Sequence, residues 1–175
     1  MSGELEKRIA FQFTDRSLLE RALTHRSAGP NNNERLEFLG DSLVNMLVAE
    51  ALYRRFPEEN EGALSRLRAS LVCEAGLAEL ARNIQLGDEL LLGAGERKNR
   101  GNRRDSILSD AYEALIGAIF LDGGFDAVRA FVNRQFRGKL ARPAAQLFAK
   151  DAKSRLQEMM QKRFHEVPRY EMKHI

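Results

Sequence analysis

Residues 34–56 constrain the chain more than any other stretch. They run without proline until Pro57, and Leu36, Phe38, Leu39, Leu43, Val44, Met46, Leu47, Val48 and Leu52 would point in nearly every direction around one long helix. A helix apolar almost all round is a buried helix, so this segment is expected to be the centre of an all-α fold. Yet it opens with three acids, Glu34, Glu37 and Asp41. At about 100° per residue, Glu37 and Asp41 lie about 40° apart round the helix and roughly 6 Å apart along it, with Glu34 one turn earlier on the same side. Two like charges about 4 Å apart repel by roughly 4 kcal/mol at an effective dielectric of 20. Acids so placed must protonate, find basic partners or hold a cation.

A second strongly apolar helix is expected over 106–121, ended by Gly123-Gly124. It carries Asp110 and Glu113, about 60° apart round the helix and about 4.5 Å apart along it. Either pair alone is ordinarily a helix N-terminal charge or an ion pair with Arg35, Arg103 or Arg104. Glu37, Asp41, Asp110 and Glu113 together, on two apolar helices, favour crossing into an oxygen-lined site for a hard divalent cation, Mg²⁺ or Mn²⁺. Di-iron bundles use Glu-x-x-His ligands, and neither Glu37 nor Glu113 has a histidine three residues on. His25, His165 and His174 are remote in sequence from these acids, which argues against a histidine-based hydrolase. The chain has no acidic twelve-residue calcium loop.

Shorter helices are expected at 4–10, 16–23 (capped by Thr14 or Asp15), 63–72, 74–84 and 126–140, and Asn32 or Asn33 should cap the long one. Residues 58–62 read as an acidic turn, and 96–104 as a basic loop without an apolar residue, five positive charges against one negative. Gly40 inside a helix costs roughly 1 kcal/mol against Ala, which close approach by a neighbouring helix or subunit would explain. Cys73, the only cysteine, reads as a small buried hydrophobe, and it excludes a disulfide framework or a Cys-type zinc site. His25 reads as a hydrogen-bonded structural residue.

Residues 141–149, with Pro143, look like a linker; a helix at 151–158 and a strand-like alternation around 169–172 follow. From residue 141 onward there are 8 Lys+Arg and 4 Asp+Glu, against 20 and 21 before it. A basic tail behind a near-neutral body with acidic patches points to an anionic partner held by one part and processed by another. Ordinary solvated charges would give the same count. The N-terminus has no apolar signal core, and no apolar run approaches the ~18 residues of a membrane span. The protein is therefore expected to be cytoplasmic, with no membrane partner.

Asn33-Glu34-Arg35-Leu36-Glu37-Phe38-Leu39-Gly40-Asp41-Ser42 resembles the signature of bacterial ribonuclease III, the double-stranded-RNA endonuclease. Ala22-Leu23-Thr24-His25-Arg26-Ser27 before it, Glu61-Gly62-Ala63-Leu64-Ser65-Arg66-Leu67-Arg68-Ala69 after it and the block 105–118 fit the same family. The resemblance covers a catalytic domain at 4–140. Residues 150–175 resemble the opening helix and first strand of a double-stranded-RNA-binding domain, which in the family continues through further strands and a second helix.

The resemblance implies an all-α endonuclease domain, working as a two-fold homodimer on double-stranded RNA. It implies Mg²⁺, with Mn²⁺ as a substitute, bound by Glu37, Asp41, Asp110 and Glu113, of which Asp41 and Glu113 match positions on which hydrolysis depends. Glu34 and Glu61 match supporting acids, and Phe38 matches a residue of the dimer interface. Arg97 and Lys98 of the basic loop, and Gln157 and Gln161 of the tail, are expected to meet RNA. The implied products carry 5′-phosphate and 3′-hydroxyl ends, in rRNA and mRNA processing. A non-cleaving RNA-binding protein on this fold would be expected to lose the four acids. A purely structural helical dimer leaves the acid cluster and the basic loop unexplained.

Overall fold

The computed structural model describes residues 2–142 and residue 147. Seven α-helices are described: α1 (Ser2–Ile9), α2 (Arg16–Leu23), α3 (Glu34–Arg55), α4 (Glu61–Leu71), α5 (Glu74–Asn83), α6 (Ala94–Lys98) and α7 (Asp105–Leu140). Short 3-10 turns lie at Arg26–Ala28, Leu86–Glu89 and Gly101–Arg103. No strand occurs among the described residues; an isolated parallel bridge joins Thr24 to Leu91. The all-α expectation holds for this part. The RNA-binding tail at 150–175, with Gln157 and Gln161, and most of the linker at 141–149 lie outside the described residues.

Local chemistry sets the helix starts. The Asp15 carboxylate accepts from the Ser17 amide at 2.9 Å and begins α2. Asn60 does the same for α4, accepting from the Ala63 amide at 2.9 Å. Its cap draws Glu61 and Gly62 out of the expected acidic turn and into the helix. At α3, Asn33 holds the cap position without a side-chain cap bond, while the Asn32 side chain accepts from the Glu34 amide at 3.1 Å.

The core is the crossing of α3 and α7, with α2 and α5 packed on α7. Leu36, Val44, Leu47, Val48 and Leu52 of α3 meet a run on α7, from Ala114 to Ile119, that is buried on every face. Gly124 has φ 77° and ψ −172°, a conformation open to glycine but costly for other residues, and it breaks α7. Beyond the break, Val128, Phe131, Val132 and Phe136 line the buried side, as their spacing predicts. The Tyr112 and Phe131 rings, 5.9 Å apart, tie the two halves of α7 together.

Three expectations need correction. First, α3 is not covered all round by the described residues of one chain: Phe38 is 79%, Met46 45% and Tyr53 74% exposed. Their spacing places them on one stripe, and among the described residues nothing covers it. Second, residues 96–104 are not plain loop. They contain the end of α6 and a 3-10 turn, and Arg104 pairs with Glu96 at 3.1 Å. Third, Cys73 is exposed, because it occupies the N-cap position of α5.

Candidate metal centre at the helix crossing

The centre exists because α3 and α7 come unusually close. A Cβ on Gly40 would overlap the Glu113 backbone carbonyl, and a Cβ on Gly117 would overlap that of Leu36. Each helix thus offers a hydrogen atom where any other residue would hold the backbones apart. Gly40 stands about one turn after Glu37, and Gly117 about one turn after Glu113, so the contact brings these two acids together.

Glu37, Asp110 and Glu113 each present a carboxylate oxygen, all within 4.8 Å of one another, and all three side chains are partly buried. None of the three makes an ion pair with a basic side chain among the described residues. Of the basic residues expected as ordinary partners, Arg104 is taken by Glu96, and neither Arg35 nor Arg103 forms an ion pair with the three acids among the described residues.

The electrostatics follow. Burial, then the charges of Asp41, Asp110 and Glu37, push Glu113 up to about 8. Burial raises Glu37, with Asp110, Glu34 and Asp41 adding to it and Arg26 opposing. Asp110 is raised by burial, while the Ser109 hydroxyl partly offsets this. Charges crowded in a half-buried site favour the proton or a cation. The three carboxylate oxygens lie close enough together that, after small side-chain rotations, Glu37, Asp110 and Glu113 could hold one such ion. An all-oxygen donor set of this kind fits a hard cation.

The remaining expected residues fall around this trio. Asp41 is exposed, and its carboxylate accepts from Asn45 Nδ2 at 2.9 Å; it lies outside the converging set, yet close enough to raise Glu113. Glu34 is exposed and faces Arg26 at 3.7 Å. Glu61 is on the first turn of α4, accepting from the Ser65 hydroxyl at 2.7 Å, and lines a groove of about 590 Å³ with Met46, Tyr53 and Leu64. Phe38 belongs to the exposed stripe on α3. Lys98 is exposed on α6, whereas Arg97 donates to the Leu92 carbonyl at 2.9 Å.

Three contributors escaped the sequence reading. Gly117 is the counterpart of Gly40, and a second glycine inside an apolar helix was the available signal. Arg26, on the 3-10 turn before α3, lowers both Glu37 and Asp110. Glu74, at the start of α5, raises Asp110; its approach depends on tertiary packing that no local pattern encodes.

The class defined here is a helical domain with acids gathered at a helix crossing. A family model described as ribonuclease-III-like matches residues 15–140. Ribonuclease 3 of Marinomonas sp. is 54% identical over 172 residues, covering 98% of this chain and 76% of that protein. The crystal structure of the nuclease domain of ribonuclease III from Campylobacter jejuni is similar at a TM-score of 0.77 and 42% identity, covering 81% of this chain and 97% of that one. A second structure of that domain, with a TM-score of 0.75 and 44% identity over 77% of this chain and 95% of that one, concerns structural flexibility in a region involved in dimer formation. The chain belongs to the ribonuclease III family and is a ribonuclease III endonuclease. No helix among the described residues is long and apolar enough to cross a membrane.

Proposed function

We propose that this endonuclease hydrolyses phosphodiester bonds of double-stranded RNA in a Mg²⁺-dependent reaction, with Mn²⁺ as a substitute. The products carry 5′-phosphate and 3′-hydroxyl ends, and the work is rRNA and mRNA processing in the cytoplasm. The observation that carries this reading is the convergence of Glu37, Asp110 and Glu113, none of them in an ion pair among the described residues.

In this reading Glu37, Asp110 and Glu113 hold the cation, and Asp41 joins them by turning from Asn45. When bound, Mg²⁺ supplies an acidified water and neutralises phosphate charge during in-line attack. Asp41 and Glu113 are the acids on which hydrolysis depends, and Glu34 and Glu61 support them. The chain has no need of a protein nucleophile. Its helices leave the three acids partly buried. Duplex RNA is recognised mostly by shape, through its wide minor groove. Lys98 and Arg97 grip the backbone from α6, and Gln157 and Gln161 do so from the RNA-binding part at 150–175, reached through the linker at 141–149.

The working unit is a homodimer, and the exposed stripe of Phe38, Met46 and Tyr53 supports this. A second copy on that stripe would cover the adjoining groove and Glu61 with it. A duplex has two antiparallel strands, and a two-fold pair of centres can cut one each. The test is long duplex RNA incubated with Mg²⁺ or with EDTA, followed by analysis of the product ends. Mg²⁺-dependent cutting that leaves 5′-phosphates is expected; equal cutting in EDTA would refute the reading.

A further inference from the structure

We propose that Ser27 is a positioning residue: its hydroxyl fixes the basic helix α6 relative to the acid centre. The inference rests on the reading that α6 meets RNA. A five-residue helix makes too few internal bonds to stand alone, so α6 must be held from outside. Gly93 occupies its N-cap position and has no side chain with which to cap it.

The anchor comes from the turn before α3. The Gly93 amide donates to Ser27 Oγ at 2.9 Å. Ser27 Oγ lies 2.8 Å from His25 Nδ1, and the Ser27 amide donates to that same nitrogen at 3.2 Å. With Nδ1 accepting, the hydroxyl proton points at the imidazole and the oxygen lone pairs are left for Gly93. The backbones touch here as well, since a Cβ on Gly93 would overlap the Ser27 carbonyl.

The turn is tied at both ends. The His25 amide donates to the Leu91 carbonyl at 3.0 Å, and the Leu91 amide to the Leu23 carbonyl at 2.9 Å. The Asn33 amide donates to the Thr24 carbonyl at 2.9 Å, and buried Asn33 stands directly before Glu34 and the first turn of α3. Residues 24–28 therefore connect the segment entering α6 with the helix that carries Glu37. Ser27 is neither an acid of the centre nor a base for RNA. Its removal should shift where Arg97 and Lys98 stand without changing the acids.

The experiment compares the parent with Ser27→Ala, Ser27→Thr and Lys98→Ala. It measures KM and kcat on duplex RNA, duplex binding in EDTA, and exchange of the Gly93 amide without RNA or metal. Ser27→Ala should expose the Gly93 amide to faster exchange, weaken binding and raise KM about threefold to tenfold, the effect of one lost hydrogen bond. Its kcat should stay within about twofold of the parent, and Ser27→Thr, which keeps the hydroxyl, should restore all three readouts. Should Ser27→Ala fold poorly, Gly93→Ala presses on the same contact from the other side and should raise KM likewise. If Lys98→Ala weakens binding but Ser27→Ala behaves as the parent, the RNA-contact reading stands and this inference alone is overturned. If Lys98→Ala binds as the parent does, α6 does not meet RNA and the inference falls with that reading. A fall in kcat at unchanged KM in Ser27→Ala also overturns it.

Discussion

Among the described residues Glu113 is the acid furthest from its ordinary range, and its burial makes a prediction independent of RNA. Its folded value, about 8, lies above the ordinary 4.5 of an unfolded chain. The folded state therefore binds the extra proton between these values, and stability falls as pH rises through that window. The contribution is fully present below about 4.5 and lost above about 8. Glu37 and Asp110, also raised, act in the same direction. Thermal melts in EDTA should thus show a lower Tm at pH 8 than at pH 5.5, and Glu113→Gln should flatten the slope and raise Tm at pH 8. An unchanged slope in Glu113→Gln would show that its carboxylate is not crowded. Mg²⁺ at pH 8 should raise the parent's Tm by mass action, and the variant's by less.

The pairing of α3 with α7 turns on two hydrogen atoms. Gly40→Ala forces its methyl group into the Glu113 carbonyl. Overpacking of this kind costs about 1–3 kcal/mol, read as a lower denaturation midpoint, and it should lower Mg²⁺-dependent turnover even where the protein remains folded. A variant with parental stability and turnover would show that the helices separate freely. Much of this crossing was legible beforehand: helical periodicity put each acid pair on one side, and the glycine at position 40 signalled a close neighbour. The register between the helices was not legible, since it depends on Gly117, and neither was the turn of Asp41 towards Asn45. On α6 the sequence showed charge but not bracing. Because Arg97 holds the Leu92 carbonyl, Arg97→Ala removes a loop contact as well as a charge, and Lys98→Ala is the cleaner probe. Lys98→Ala should raise KM for duplex RNA and flatten its salt dependence by about one counterion, with kcat unchanged. A salt series with parental slope and KM would contradict this.

For the whole molecule, the near-uniform apolarity of α3 reads as a buried helix, yet the described residues of one chain leave Phe38, Met46 and Tyr53 exposed. Sequence periodicity reports what a helix will bury but not whether its own chain does the burying. If a second copy covers the stripe, light scattering at micromolar concentration should give a dimer, and Phe38→Ala should weaken it by about tenfold or more. A monomeric parent would contradict that. In the proposed reaction the acids at the crossing cut duplex RNA through a divalent cation. The most direct measurement is cleavage of long double-stranded RNA by the parent and by Glu113→Gln, each with Mg²⁺ and with EDTA, alongside duplex binding. Cutting by the parent in Mg²⁺ alone is expected, with no cutting but near-parental binding by the variant. Near-normal Mg²⁺-dependent turnover in Glu113→Gln would contradict it.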